Sequence, residues 1–191
     1  MTKSRIAIFA SGSGSNAEEI FKYFRQHPTI EVVLLLSNNP DAYALARAKL
    51  FGVPSKVFNR QTFKESETIL GWLAEYGVTH IVLAGFLWLI PTWLIRSYPD
   101  KIVNIHPALL PKYGGKGMYG PRVHEAVRQS GDLETGITIH LINELYDEGP
   151  LLFQATCKVE PTDTPETIAG KVQTLEYRFY PSEIEKLILK K

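Results

Sequence analysis

The sequence predicts an α/β fold, with a doubly wound, mostly parallel sheet and helices on both of its faces. Short apolar segments alternate with segments of helical periodicity, as they do in βαβ units. The second apolar segment, Glu31–Ser37, is almost continuously apolar, which is typical of a strand covered on both faces. No repeat, charge block or change in composition divides the chain, so we expect residues 1–191 to form one domain.

The first part of the chain contains three predicted strand–helix pairs. Its strands are short apolar runs, and the segments between them place apolar side chains at helical spacing. Gly52 and Gly77 end two of the helices at the position that favours glycine. The predicted elements are, in order, strand Arg5–Ala10, helix Asn16–Gln26, strand Glu31–Ser37, helix Asp41–Phe51, strand Ser55–Phe58 and helix Phe63–Tyr76.

The second part continues the alternation and ends in a long helix. Pro91 suits the first turn of a short helix, and Thr164 is a predicted N-cap before Pro165. The predicted elements are strand His80–Ala84, helix Pro91–Tyr98, strand Ile102–His106, helix Pro121–Gln129, the β-rich segments Thr138–Ile142 and Leu151–Val159, and helix Pro165–Leu189.

One uncharged stretch, Gly77–Ile95, approaches the length of a membrane-spanning helix. Gly85 and Pro91 interrupt it, so we predict a buried strand, a loop and a short helix instead. The net charge of +1 favours neither a nucleic-acid nor a membrane partner. The single cysteine, Cys157, excludes an internal disulfide framework, and the first residues do not resemble a signal peptide. We therefore expect a cytoplasmic protein.

A glycine-rich turn, Ser11–Asn16, follows the first predicted strand and precedes a helix. Gly12 and Gly14 permit a tight turn, and the helix start offers N–H groups to an anion. Ser13, Ser15 and Asn16 add short side chains that form hydrogen bonds. The turn therefore suggests a phosphate-binding loop, while a glycine turn without any ligand is the alternative.

The same turn fits the spacing of a dinucleotide fingerprint, with Ala17 in its last position. That fingerprint also needs an acidic residue at the end of the second strand, where this sequence has Ser37, Asn38 and Asn39. The missing carboxylate disfavours a nicotinamide cofactor. The turn also lacks the Gly-Lys-Ser/Thr sequence of a nucleotide P-loop.

Asn104 and His106 lie two residues apart in a predicted strand, so they face the same side. An amide beside an imidazole suits the binding of a carbonyl oxygen that gains charge. A later turn contains Asp147, and a carboxylate beside His106 would orient the ring and favour its protonated form. Spacing alone leaves open whether Asp147 reaches His106, or whether these residues only cap a strand end and a turn. The five histidines lack metal-ligand spacing, so no metal site is expected.

Together, these segments resemble the phosphoribosylglycinamide formyltransferases, a family of folate-dependent formyltransferases of purine synthesis. The resemblance extends over nearly the whole chain, and Asn104–Pro111 is its most specific string. It is found in Ala10–Asn16, Val82–Phe86, Asn104–Pro111, Gly136–His140, Tyr146–Pro150, Val172–Glu176 and Tyr180–Pro181.

The resemblance implies a Rossmann-like formyltransferase fold and formyl transfer from the co-substrate 10-formyltetrahydrofolate to the amine of glycinamide ribonucleotide, without metal or nicotinamide. It implies small-molecule partners and a monomer or homodimer. The implied catalytic residues are Asn104, His106 and Asp147. The implied ribonucleotide-binding residues are Gly12, Ser13, Gly14, Ser15, Asn16 and Glu176. The implied folate-binding residues are Arg60, Leu83, Leu87, Trp88, Leu89, Ile90, Asn104 and His140.

Two features depart from the family pattern. The segment Gly114–Gly120 is longer than usual, and Trp88 stands where many members have arginine. Without the resemblance, Leu87–Ile90 would equally suit plain core packing. Related tRNA formyltransferases and formyltetrahydrofolate hydrolases would need a further domain, and sugar-nucleotide formyltransferases would lack the phosphate loop. The alternative from another class is a non-catalytic module that binds phosphoribosyl compounds through Ser11–Asn16 alone.

Overall fold

The computed structural model describes residues 3–190 and contains a seven-stranded sheet in the order β3-β2-β1-β4-β5-β6-β7. The five strands β1 to β5 pair in parallel, and β6 and β7 are antiparallel to their neighbours. The predicted doubly wound, mostly parallel sheet is therefore confirmed. The strands are β1 Ser4–Ala10, β2 Ile30–Ser37, β3 Ser55–Val57, β4 His80–Leu83, β5 Ile102–His106, β6 Glu134–Leu141 and β7 Leu151–Lys158.

Helices cover both faces of the sheet because successive residues of its strands point to opposite sides. In β1, Ile6 and Ile8 pack with α1, α6 and α7, whereas Ala7 and Phe9 pack with α3, α4 and α5. The helices are α1 Ser15–Phe24, α2 Tyr43–Leu50, α3 Arg60–Lys64, α4 Ser66–Glu75, α5 Thr92–Ser97, α6 Pro121–Ser130 and α7 Pro165–Leu189. The predicted N-cap, Thr164, opens α7 and forms a capping box with Thr167.

The predicted helix Phe63–Tyr76 is divided in two, because Glu65 adopts an extended backbone between α3 and α4. Phe63 and Ile69 are both buried in the same core. In one continuous helix these two residues would lie about 120° apart around the axis and would not share one face. The break at Glu65 lets both side chains be buried. The prediction of helical structure was therefore correct for each part, but the prediction of one continuous helix was wrong.

Strand β6 begins at Glu134, four residues before the predicted start at Thr138. The early part contains Gly136, a residue that weakens strand propensity. There the backbone of β7 approaches so closely that a Cβ at position 136 would overlap the carbonyl oxygen of Ala155. The glycine that obscured the strand in the sequence is thus required by the pairing of β6 with β7.

The segment Gly77–Ile95 forms β4, a loop and the start of α5, as predicted. Between residues 3 and 190, no helix is both long and apolar enough to cross a membrane.

The sheet has its topological switch point at β1 and β4, where the chain returns from β3 to the other side of β1. This arrangement places the loops after β1 and β4 side by side. The Ser11 N–H donates to the Gly85 carbonyl at 3.1 Å, and the Leu87 N–H donates to Ser11 Oγ at 3.1 Å. Ligands of such sheets bind at this edge, and the candidate site residues lie there.

Helix α7 is fixed to this edge by a fully buried tyrosine. The hydroxyl of Tyr180 lies 2.9 Å from the Leu83 carbonyl and 3.1 Å from the Val103 carbonyl. Leu83 is the last residue of β4 and lines the cavity described below, and Val103 lies in the neighbouring strand β5.

Substituting Tyr180→Phe is expected to lower the free energy of unfolding by about 1–3 kcal/mol, because two buried carbonyls lose their donor. Urea unfolding of the variant checks this. Tyr177→Phe on the same helix is the matched control and should change stability little, since Tyr177 is only partly buried. Equal stability of Tyr180→Phe and the parent protein would contradict the expectation.

Candidate functional site

A cavity of about 590 Å³ opens at the carboxyl edge of the central strands. Its walls come from the glycine-rich turn, the loop after β4, the end of β5, the segment Gly115–Gly120, the turn around Asp147 and one face of α7. The predicted site residues that line it are Ser13, Ser15, Asn16, Leu83, Leu87, Trp88, Leu89, Ile90, Asn104, His106, Asp147 and Glu176. Four predicted residues, Gly12, Gly14, Arg60 and His140, stand behind or beside these walls instead.

The two glycines shape the turn. Gly14 has φ +70°, and a Cβ there would come within 2.5 Å of the Ala44 side chain on α2. The Gly12 carbonyl accepts the Ala44 N–H at 3.1 Å. Only glycine at position 14 can pack this closely on α2. Within the described residues no side chain caps the first turn of α1, so its N–H groups stay open toward the cavity end.

Arg47 on α2 supports the same turn and was missed by sequence reasoning. Its Nε donates to the Ser13 carbonyl at 2.9 Å, and its guanidinium pairs with Glu18. Arg47 therefore holds the backbone of the predicted phosphate loop, while its charge is paired with Glu18. No local pattern around Arg47 indicates this contact, which arises only when α2 packs on the turn.

Asn16 and Glu176 meet at the opposite side of the turn. Asn16 Nδ2 donates to Glu176 Oε2 at 2.9 Å, although 160 positions separate the two residues. Burial raises the pKa of Glu176, and the bond from Asn16 only partly opposes this shift. The Oδ1 atom of Asn16 is buried and has no hydrogen-bond partner within residues 3–190. Both side chains line the cavity and offer polar groups to a ligand.

Asn104 on β5 pairs across the sheet with His140 on β6. Its Nδ2 donates to His140 Nε2 at 3.1 Å, while His140 Nδ1 donates to the Leu141 carbonyl at 3.0 Å. Because an amide N–H only donates and a backbone carbonyl only accepts, His140 Nε2 accepts in the first of these bonds and Nδ1 donates in the second. His140 is 1% exposed, so it orients Asn104 from behind the cavity wall.

His106 makes a hydrogen bond through one ring nitrogen and faces a carboxylate with the other. Nε2 lies 2.7 Å from the Tyr113 carbonyl, and because a carbonyl only accepts, Nε2 carries a proton. Nδ1 faces Asp147 Oδ2 at 3.6 Å. Burial lowers the pKa of His106, outweighing Asp147 and the Tyr113 carbonyl, which both raise it. Asp147 therefore raises the pKa of His106, as expected, but the larger effect of burial leaves that pKa below its ordinary value.

Asp147 stands in a turn with φ +56° and joins three groups. Its Oδ2 accepts the Gly115 N–H at 3.0 Å, and its Oδ1 lies 3.6 Å from His140 Nε2. Burial would raise the pKa of Asp147, but His140, His106 and the Gly115 N–H together lower it. The carboxylate is therefore ionised beside two imidazoles. The structure brings together Asn104, His106 and Asp147, which sequence spacing alone could not establish.

The loop after β4, with Leu87–Ile90, forms an apolar wall of the cavity. Leu87 and Leu89 are 48% and 42% exposed along the cavity, which separates them from plain core residues. The ring of Trp88 packs against Phe63 with centroids 5.5 Å apart. The Arg60 guanidinium carbon lies 4.6 Å from the centre of the Trp88 ring, a cation–π contact at the rim.

His124 on α6 also lines the cavity, with 7% exposure. Its Nδ1 is buried and finds no hydrogen-bond partner within the described residues. Burial, together with His106, lowers the pKa of His124. Between residues 3 and 190, no group of three or more His, Cys, Asp or Glu side chains is placed to hold a metal ion.

The lowered pKa of His124 predicts a pH dependence of stability. The unfolded chain takes up a proton near pH 6.5, but the folded protein resists it, so this histidine removes stability as the pH falls below about 6.5. We expect the urea midpoint of the parent protein to fall further between pH 7 and pH 5.5 than that of His124→Gln. Parallel decreases in both proteins would contradict the prediction.

Comparison with known proteins identifies relatives over the whole described fold. The Formyl transferase family model matches residues 4–184. The phosphoribosylglycinamide formyltransferase of Bacillus subtilis (strain 168) is 34% identical over 96% of this chain and 94% of its own length. The chloroplastic enzyme of that name from Arabidopsis thaliana is 40% identical over 93% of this chain. The chain spans 63% of that plant protein's length.

Solved structures agree with the sequence relatives. The phosphoribosylglycinamide formyltransferase of Bacillus halodurans superimposes with a TM-score of 0.88 at 37% identity, covering 98% of this chain and 96% of the other. The protein of that name from Brucella melitensis gives a TM-score of 0.88 at 35% identity, covering 100% and 98%. The predicted Rossmann-like formyltransferase fold is confirmed. Because the family model extends over residues 4–184, this chain belongs to the formyl transferase family.

Proposed function

We propose that this protein transfers a formyl group from 10-formyltetrahydrofolate to the amine of glycinamide ribonucleotide, in the synthesis of purines. The observation that carries the proposal is the convergence of Asn104, His106 and Asp147 on one cavity wall. These three residues lie between the glycine-rich turn Ser11–Asn16, at the start of α1, and the apolar wall formed by Leu87–Ile90. The relatives named phosphoribosylglycinamide formyltransferase support the same activity.

The two ends of the cavity suit the two substrates. The first turn of α1, with Ser13 and Ser15, offers donors to the phosphate of the ribonucleotide, and Arg47 holds the Ser13 carbonyl behind the turn. We expect Asn16 and Glu176 to bind the ribose hydroxyls, because both side chains line the cavity next to the turn. The exposed Leu87 and Leu89, with Trp88 beside them, suit a flat pteridine ring.

Between these ends, the amine of the ribonucleotide attacks the formyl carbon and forms a tetrahedral intermediate with a charged oxygen. The free N–H of Asn104 donates to that oxygen. His106 Nδ1, whose pKa burial keeps low in the free protein, takes the proton given up by the amine. The resulting imidazolium, supported by Asp147, stabilises the oxygen. The C–N bond to folate then breaks, and the proton passes from His106 to the leaving nitrogen, directly or through water.

Steady-state kinetics with two acceptors tests this assignment. With 10-formyltetrahydrofolate, the ribonucleotide should be formylated, and the dephosphorylated ribonucleoside should show kcat/KM lower by about two orders of magnitude, since charge-assisted hydrogen bonds are lost. Equal kcat/KM for both acceptors would contradict a phosphate site at Ser11–Asn16. Formate release without formylated acceptor would indicate a hydrolase. Ribonucleotide binding without turnover would indicate a non-catalytic module.

The cytoplasmic location, the organisation of residues 1–191 as one domain, and the state as a monomer or homodimer remain predictions.

A further inference from the structure

The residues just before the segment Gly114–Gly120 form a polar cluster with the end of α6, outside the cavity. The hydroxyl of Tyr113 donates to Asp132 Oδ2 at 2.7 Å and lies 2.6 Å from Ser130 Oγ. Lys112 Nζ reaches the same carboxylate at 2.9 Å and 3.2 Å. Lys112 and Tyr113 lower the pKa of Asp132, so its charge is present at neutral pH. Tyr113 is thus attached by its side chain to the end of α6.

The backbone of Tyr113 is unusual. Its φ is +57°, a left-handed conformation that a residue with a bulky side chain adopts only when its surroundings enforce it. The hydrogen bond to Asp132 supplies one such restraint, because it fixes the far end of the side chain. In this conformation the Tyr113 carbonyl points to His106 and accepts its Nε2–H at 2.7 Å.

The hydrogen bond from His106 Nε2 to the Tyr113 carbonyl determines which ring nitrogen faces the cavity. Because Nε2–H is committed to Tyr113, Nδ1 is the atom that faces Asp147. The titratable groups around His106 are Asp147, His140 and His124, and within residues 3–190 the Tyr113 carbonyl is the hydrogen-bond partner of Nε2. The Tyr113 carbonyl is therefore the contact that orients the ring from its outer side.

We propose that Tyr113 is a positioning residue, whose hydroxyl, held by Asp132, keeps its carbonyl on His106 Nε2 and thereby presents Nδ1 to Asp147 and the cavity. The kinetic part of this inference rests on the proposed function, whereas the orientation of His106 does not.

Tyr113→Phe removes the hydroxyl and keeps the ring, and Asp132→Ala removes the charged acceptor of that hydroxyl but leaves Ser130 Oγ. In protein labelled with ¹⁵N-histidine, NMR should show the His106 midpoint at lower pH in both variants, because the carbonyl contact that raises its pKa is loosened. In the formylation assay, kcat should fall about tenfold with KM within about twofold, the loss expected for one hydrogen bond. The acid limb of the kcat profile should shift in the same direction as the NMR midpoint.

Lys112→Met is the matched control, because it removes another partner of Asp132 and leaves the Tyr113 hydroxyl bond. It should keep the parent midpoint and kcat. If Tyr113→Phe or Asp132→Ala loses stability in urea while the His106 midpoint stays unchanged, the role of Tyr113 is only structural and the proposal is overturned. The NMR result decides this even if the protein transfers no formyl group, so the two proposals fail separately. Should one variant not fold, the other gives the same test.

Discussion

Substituting His106→Ala is expected to reduce kcat by about 10²–10³, and Asn104→Ala by a similar factor, because each removes one group that stabilises the charged oxygen. Neither change should unfold the protein, since the strand pairing of β5 with β4 and β6 uses backbone groups. Steady-state kinetics, with circular dichroism to verify the fold, checks both variants.

His80→Gln provides the matched control for this prediction. His80 is likewise a histidine on a central strand, but it is only partly buried and lies at the amino end of β4, away from the cavity, where Nδ1 contacts Thr79 Oγ1 at 3.0 Å. It should retain most of the parent kcat. Near-normal turnover in both His106→Ala and Asn104→Ala would remove these residues from the mechanism.

The largest effect on stability is expected from Gly136→Ala. The added Cβ would overlap the Ala155 carbonyl oxygen and come within 3.0 Å of Leu109 Cδ2. Because the first of these atoms is backbone, β6 and β7 must separate locally. We expect a loss of about 3 kcal/mol in the free energy of unfolding, measured by urea unfolding.

Gly170→Ala tests whether that loss comes from the close approach. Gly170 lies in α7, and a Cβ there would meet no atom within 4 Å. This variant should be as stable as the parent or gain about 0.5–1 kcal/mol, since alanine favours helix over glycine. Similar free energies of unfolding for Gly136→Ala and Gly170→Ala would be incompatible with the close pairing of β6 and β7.

Most of the fold follows from the sequence because its signals are local. Alternating apolar runs and helical segments predicted the order of strands and helices, and Thr164 marked the start of α7 correctly. The errors occur where packing overrides local preference. Glu65 breaks a helix so that residues on two sides can reach one core, and Gly136 lies within a strand because β7 approaches it closely.

The candidate site likewise has a part that the sequence predicts and a part that depends on the assembled fold. Residues in short motifs, such as Asn104 and His106, were predictable because strand geometry places them on one side. The contacts that set their chemistry join distant parts of the chain. Arg47 supports the glycine turn, and the Tyr113 carbonyl fixes His106, but neither residue lies in a pattern that indicates this. The burial that lowers the pKa of His106 likewise depends on the assembled fold.

The most direct test of the central claim follows the formyl group itself. Protein mixed with 10-formyltetrahydrofolate, labelled with ¹³C in the formyl carbon, and glycinamide ribonucleotide is monitored by ¹³C NMR. We predict that the label leaves the folate and appears in the formylated ribonucleotide in equal amount, and that the double substitution of Asn104 and His106 by alanine abolishes this transfer on the same timescale. Appearance of the label as free formate, or transfer at the parent rate by the double variant, would contradict the account.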